Sequence, residues 1–296
     1  MYKANTNVFR RAYNLTTREG LANIFHLVLR TIGYLLLALG GILMVLPMVW
    51  MLSSSFKTSA EVFTVPVQWL PSVFHFDNYV NAMQLAPFGR YFFNSMYVGL
   101  STTFLTLLFS SMAGYGFAKF NFWGKQSLFI SVLSTMMIPF QVIMIALFVL
   151  VRGFGWLNTY SGLIIPAAVS AFGVFLMRQF ILTIPDELID AARIDGASEI
   201  NIYLQIIVPL CKAPLSALGI FTFLDSWNNL LWPLIIITQV NMRTVALGLT
   251  EFQNLNGSSF NYLMAATTLA SIPILILFIV LQRQFIRGVV LSGMKG

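Results

Sequence analysis

Residues 186–209 read DELIDAARIDGASEINIYLQIIVP, a polar island between long apolar runs. The island holds Asp186, Glu187, Asp190, Asp195 and Glu199, five of the ten acidic residues in a chain of 296. Around it the composition names the solvent. The chain is 58% hydrophobic and 9% charged, with a mean hydropathy of +0.81, whereas a soluble domain carries about 25% charged residues. Charge-poor windows on both sides of the island exceed the roughly 20 residues needed to cross a bilayer core. Six spans are expected, at about 31–56, 91–118, 126–151, 159–180, 211–238 and 261–283.

Backbone polar groups in lipid must be paired within the segment or within a closed barrel. The windows lack the period-two alternation of barrel strands, so the predicted fold class is an all-α membrane protein. The first window is too long for a cleaved signal peptide and five further spans follow it, so it reads as an uncleaved anchor. Residues 1–30 form an expected amino-terminal tail, and 31–296 the transmembrane domain.

Basic residues near span ends are retained on the cytoplasmic side. With the amino terminus inside, thirteen of the seventeen basic residues fall in cytoplasmic segments, and only Lys57, Arg90, Arg152 and Arg243 lie opposite. This asymmetry predicts that both termini and the island, as a cytoplasmic loop over 184–209, face the cytoplasm. It also accounts for the net charge of +7 without nucleic acid.

Several chemistries are excluded. The single cysteine, Cys211, has no disulfide partner and is expected at a cytoplasmic or interfacial position; His26 and His75 fall in loops on opposite faces. Neither a metal-binding pair nor a nucleophile triad is spelled out. The glycine-rich stretch from Gly114 to Lys125 lacks the GxxxxGK[ST] spacing of a phosphate loop. Gly114 and Gly116 suit close helix packing instead.

Within the island, Thr183 three residues before Asp186, with Pro185 in the first turn, reads as a carboxylate variant of the capping box. Gly196 suits a left-handed stop, Ser198 caps a second short helix, and Pro209 ends it. Ala191 and Ala192 are expected to leave a small-residue face beside the apolar anchor Leu188, a shape suited to docking another protein. The competing reading lays an amphipathic helix on the headgroups, where five carboxylates oppose an anionic leaflet.

In the fifth span Asp225, Trp227, Asn228, Asn229, Trp232 and Pro233 cluster. An intramembrane carboxylate is costly and marks a functional candidate. Indole faces with amides and a carboxylate suit a sugar, so Asp225, Trp227, Asn228, Asn229 and Trp232 are candidate pathway residues; the alternative is helix packing, with Trp232 in an interfacial belt. Gln141, beside a helix-kinking Pro139, is a weaker candidate. The outer segment from Lys57 to Arg90, with Trp69, Phe74, Phe76 and a helix capped by Asp77, is long enough to meet a partner; its aromatics equally suit the membrane interface.

The pattern Asp190-Ala-Ala-x-x-x-Gly196, nine residues, then Ile206-x-Val208-Pro209 resembles the EAA loop of binding-protein-dependent ABC importer permeases. Asp190 stands where the family usually has Glu, and Val208 where Leu is frequent. The stretches Asn158 to Leu163, Phe175 to Phe180, Ala192 to Ser198 and Gly288 to Gly296, with Phe93-Asn94-Ser95 and Ala113 to Lys119, are similar to the carbohydrate-uptake, MalG-like branch with its MetI-like permease fold. Trp123 and Ala146 depart from it where proline is frequent.

The resemblance implies a multi-pass subunit of the bacterial cytoplasmic (inner) membrane that is itself no enzyme. Its partners would be a second homologous permease, two ATPase subunits and an extracytoplasmic solute-binding protein, together with membrane lipid. ATP and Mg would be bound in the ATPase subunits and not in this chain. Glu187, Leu188, Asp190, Ala191, Ala192, Asp195, Gly196 and Pro209 would form the coupling loop, and Gly293, Lys295 and Gly296 a flexible carboxyl-terminal ATPase contact. Arg283 and Arg287 fit that contact or a plain stop-transfer flank. The implied solute is a sugar or oligosaccharide, with glycerol-3-phosphate the alternative within the branch. An ion-coupled secondary transporter is the alternative of another class; it calls for ion-coupling carboxylates or interrupted repeat helices at midplane.

Overall fold

The structure of the protein, a computed structural model, describes the backbone of residues 6–254 and 260–293 and the side-chain environments of 25–252 and 260–280. All regular structure among these residues is helical. α1 (Thr6–Ser54), α4 (Phe88–Lys119) and α15 (Phe260–Gly293) are the long helices. Between the first two lie α2 (Ser59–Val62) and α3 (Asp77–Leu85). Shorter helices follow: α5 (Lys125–Ser134), α6 (Phe140–Gly153), α7 (Tyr160–Ile164) and α8 (Ala171–Ile181). The island supplies α9 (Asp186–Ile194) and α10 (Glu199–Ile202), a π-helical turn at Tyr203–Ile207, and α11 (Val208–Leu210). α12 (Lys212–Asn228), α13 (Leu231–Ile236) and α14 (Val245–Asn254) lead to α15.

Three continuous stretches are long and apolar enough to cross a membrane: Phe25–Ser54, Phe88–Lys119 and Phe260–Val280. Three bent pairs bring the number to as many as six. The third expected span breaks at Pro139 with a 102° bend between Lys125–Met137 and Phe140–Gly153. Proline donates no amide and pushes its predecessor to extended backbone, and Ile138 has ψ 115°. The fourth bends by 43° after Ala167, where Pro166 sits in a 3₁₀ turn. The fifth is not continuous over 211–238: the chain bends by 79° at Cys211, α12 stops at Asn228, and α13 begins at Leu231. The expected tail over 1–30 becomes helical from Thr6, an extension of α1.

α4 is the centre of the bundle and packs chiefly on α8 and α12. Its buried seam is small and hydroxylated, running Ser95, Gly99, Thr102, Thr106, Ser110, Gly114 at spacings of three and four. In lipid, where the hydrophobic effect adds little between helices, such a seam gains contact energy by letting backbones approach. A Cβ on Gly114 would lie 2.6 Å from that of Met177, and one on Gly173 of α8 would strike the Ser110 hydroxyl. Gly116 has open space where a Cβ would stand, so of the two glycines only Gly114 serves the close packing expected of both.

The segment from Lys57 to Arg90 folds back on the end of α1. Phe56 packs against Phe74, Phe76 and Tyr79 at ring separations of 5.2–5.6 Å, and Trp69 lies edge-on to Trp50 at 5.7 Å. Lys57 is fully buried; its ammonium sits 4.1 Å from the Trp50 ring centroid and donates to the Gln68 carbonyl. The capped helix here is α2, where Thr58 and Glu61 form a reciprocal capping box. Asp77 lies inside the first turn of α3, after Phe76, and caps nothing.

Candidate functional site

At the island, the left-handed turn expected at Gly196 is present, with φ 82°, and the Ser198 hydroxyl accepts from the Asn201 amide to start α10. The expected cap at Thr183 is absent. Pro185 occupies the cap position of α9, and Thr183 donates instead to the Phe180 carbonyl at 2.7 Å. A residue two places before the cap is too far out to meet the first free amides of the helix. Pro209 does not end the second helix, which continues through the π-helical turn at Tyr203–Ile207 to Leu210; the wider turn lies directly before the proline, which has no amide to donate.

Helical periodicity divides the apolar residues of α9. Leu188, Ala191 and Ile194 are exposed, Ile194 to 86%, while Ile189 is buried and Ala192 packs half-buried against the bundle. Three-residue steps keep each set on one face. The small face expected from both alanines is therefore carried by Ala191 alone, and Ile194 and Ile200, 71% exposed, extend the apolar surface. Beneath it, Ile189, Ile202 and Ile207 join Met177, Ile181, Cys211 and Leu218 in one buried cluster. Cys211 is fully buried within this cluster. Burying an isoleucine such as Ile189 or Ile202 from water stabilises by about 1.5–3 kcal/mol.

Three of the five island carboxylates are engaged within the chain. Asp186 pairs with Lys119 at 2.5 Å, and that hydrogen bond holds the Asp186 carboxyl below the usual carboxylate range. Arg193 bridges Asp190 at 3.1 Å and Glu199 at 2.8 Å, across the Gly196 turn. Glu199 also accepts from the Tyr115 hydroxyl at 2.8 Å, and the Tyr203 and Ser111 hydroxyls meet at 2.6 Å. Glu187 and Asp195 are exposed and make no ion pair among the described residues.

A second region is a cavity of about 720 Å³ where helix breaks converge. Its lining includes Thr106 of α4, Phe140 at the Pro139 break, Ser170 and Phe172 at the start of α8, and Asp225, Asn228, Asn229 and Trp232 around the end of α12. Among the described residues, Asp225 is the one charged side chain in that wall. Asn228 donates to the Leu224 carbonyl, and the Asn229 oxygen accepts from the Trp232 amide. The Trp232 ring meets Phe140 edge-on at 5.9 Å, and its indole N–H donates to the Gly162 carbonyl at 2.9 Å.

Trp227 is not part of this wall. It is 2% exposed, stacks on Phe223 at 5.7 Å and donates to the Ala270 carbonyl. Two residues past Asp225 on a helix is about 200° around the axis, which turns Trp227 into the α12–α15 core while Asn228 shares the Asp225 face. Gln141 is exposed and outside the lining; its neighbour Phe140 takes the place. The sequence reading missed Phe140, Ser170 and Phe172, for which the signal was present in the breaks next to Pro139 and Pro166.

The far end of α4 carries a third network. Tyr160 donates to Asn94 at 2.7 Å, Asn94 donates to the Asn241 and Arg243 carbonyls, and Arg90 reaches the Asn241 carbonyl. Glu251 pairs with Arg243 and accepts from the Tyr91 hydroxyl at 2.7 Å. Arg90 and Arg243, assigned by charge to the face opposite the island, thus meet at one end of α4 and Lys119 lies at the other. Of the expected carboxyl-terminal contact, Gly293 is the last described residue of α15; Lys295 and Gly296 lie outside the described residues.

A family model described as "Binding-protein-dependent transport system inner membrane component" matches residues 106–290. The chain is 38% identical over 269 residues to the arabinooligosaccharides transport system permease protein AraQ of Bacillus subtilis (strain 168), covering 90% of this chain and 95% of that one. It is 34% identical to the lactose transport system permease protein LacG of Rhizobium radiobacter, over 87% and 93% of the two chains. Its fold is that of a chain in a bacterial ABC transporter involved in the import of the acidic polysaccharide alginate, with TM-score 0.79, 22% identity, and coverage of 87% and 96%.

Proposed function

Because this chain belongs to the family of binding-protein-dependent transport system inner membrane components, a multi-pass transport subunit of the inner membrane, we propose that it lines half of a translocation pathway for a neutral sugar or oligosaccharide. A second homologous permease supplies the other half. Two ATPase subunits bind ATP and Mg, and an extracytoplasmic solute-binding protein delivers the solute. Both termini and the island face the cytoplasm, with residues 31–296 forming the transmembrane domain.

The cavity wall is the observation that carries the solute class. Among the described residues its one charged side chain is Asp225, set beside amides and aromatic faces. Asp225 lies in the last turn of α12, where the helix dipole is also negative. An anionic solute such as glycerol-3-phosphate meets repulsion there, while a sugar hydroxyl finds an acceptor, an amide donor and an apolar ring face. Relatives whose names specify arabinooligosaccharide and lactose transport support the reading, and those named for sn-glycerol-3-phosphate transport, at 31–32% identity, are its rival.

The face of Leu188, Ala191 and Ile194, flanked by Glu187 and Asp195, is the surface that seats in an ATPase subunit. Closure of the ATPase pair moves it and switches the cavity from inward to outward access. Uptake by proteoliposomes holding the full complex tests the reading: ATP-dependent accumulation of labelled arabino-oligosaccharide or lactose with the binding protein present supports it. ATP-dependent accumulation of glycerol-3-phosphate alone would refute the neutral-solute assignment, and uptake without ATPase subunits the importer itself.

A further inference from the structure

The island is joined to the bundle through the chain at α8 and α12, yet its charged contacts lead elsewhere. Asp186 at the start of α9 pairs with Lys119, the last residue of α4. The Lys119 side chain is only 6% exposed and also donates to the Ile184 carbonyl at 2.5 Å. One turn earlier on α4, Tyr115 is buried and donates to Glu199 at the start of α10. Arg193 closes the triangle by holding Asp190 and Glu199 together across the Gly196 turn. Both halves of the island are therefore fastened to the same inner turn of one helix.

That helix reaches the other regions too. Thr106, midway along α4, lines the cavity, and Arg90, Tyr91 and Asn94 anchor the outer network. We infer that Lys119 and Tyr115 are positioning residues that clamp the coupling loop to α4, so that force from the ATPase subunit reaches the cavity through α4 as a rigid strut. The inference rests on the coupling role assigned to the island above. Losing either partner of the Lys119–Asp186 pair leaves a sheltered ammonium or a displaced carboxylate, and the island then moves without carrying α4.

The test uses the complete complex with its binding protein and a Thr222→Cys reporter in the cavity wall; the single native cysteine, Cys211, is buried. A membrane-impermeant maleimide reports cytoplasmic access to Cys at this position before and after trapping with MgATP and orthovanadate. In the native background trapping slows labelling about tenfold, within the usual range of coupling between sites. Lys119→Asp and Asp186→Lys each remove that change while the ATPase subunits still copurify, and the charge-swapped double variant restores it. Should Lys119→Asp fail to assemble, Asp186→Asn and Tyr115→Phe decide by the same readout, each with a partial loss of about twofold or more.

Single variants that switch as the native complex does, or a double variant as defective as the singles, would overturn the inference. Failure of the native chain to copurify with any ATPase subunit strikes the earlier reading and not the clamp.

Discussion

The island at 186–209 and the segment at 225–233 are both polar interruptions of an apolar chain, and the structure treats them differently. The island stays together as one surface. Its carboxylates fasten it to α4, and one face of α9 is left exposed and apolar. The segment is split, with Asp225, Asn228, Asn229 and Trp232 on the cavity and Trp227 in the core. Charge in a membrane chain locates solvent, because burying it unpaired is prohibitive. An indole is content in core, interface or cavity, so its presence alone assigns no place.

The sharpest way to break the island side of this contrast is Gly196→Val. A branched residue is strained at φ 82°, which destabilises the turn that sets α9 against α10. ATP-driven uptake should vanish while membrane insertion, read by protease protection, is unchanged.

The segment side is tested by a pair of substitutions. Trp227→Ala should lower stability by about 3–5 kcal/mol, as for other buried aromatics, and shift the thermal midpoint of the purified complex. Asp225→Asn should change stability by no more than about 0.5 kcal/mol but alter uptake of sugar and relax rejection of anionic analogues. Equal loss of stability in both would erase the split.

Within the island, Ala191→Trp should abolish copurification of the ATPase subunit with the permease fold intact. Ala192→Trp, directed into the bundle, should instead overpack it by about 1–3 kcal/mol and show first as a lowered midpoint.

The smallest effect is in pH. Asp186 has its carboxyl held below the ordinary value by Lys119, so the pair's contribution is complete at neutral pH and lost only as pH falls through that lowered value. The difference in cavity switching between native and Asp186→Asn complexes should then hold constant from about pH 8 to about pH 5, above the ordinary carboxylate pKa near ~3.9.

The all-helical class and the Gly196 turn were legible because each follows from a local property: apolar length without strand alternation, or a residue's conformational freedom. Of the bends, only that at Pro139 was legible, and its 102° angle depends on what packs behind it. The cavity itself was not legible, since it is made by three breaks distant in sequence. Nor was the clamp: nothing in Tyr115 or Lys119 taken alone points to Glu199 or Asp186, 84 and 67 positions away. Ala192 was misplaced because two adjacent alanines on a helix stand about 100° apart, and only the packing of α9 says which faces out.

The central claim is that the exposed face of α9 seats in an ATPase subunit and passes its motion on. A photo-crosslinking residue at Leu188 in the complete complex tests it most directly, with the same residue at Leu36, exposed on the first span, as the control. The account predicts an ATPase adduct from position 188 whose yield changes on trapping with MgATP and orthovanadate, and none from position 36. No adduct at 188, or one that ignores the nucleotide, would contradict it.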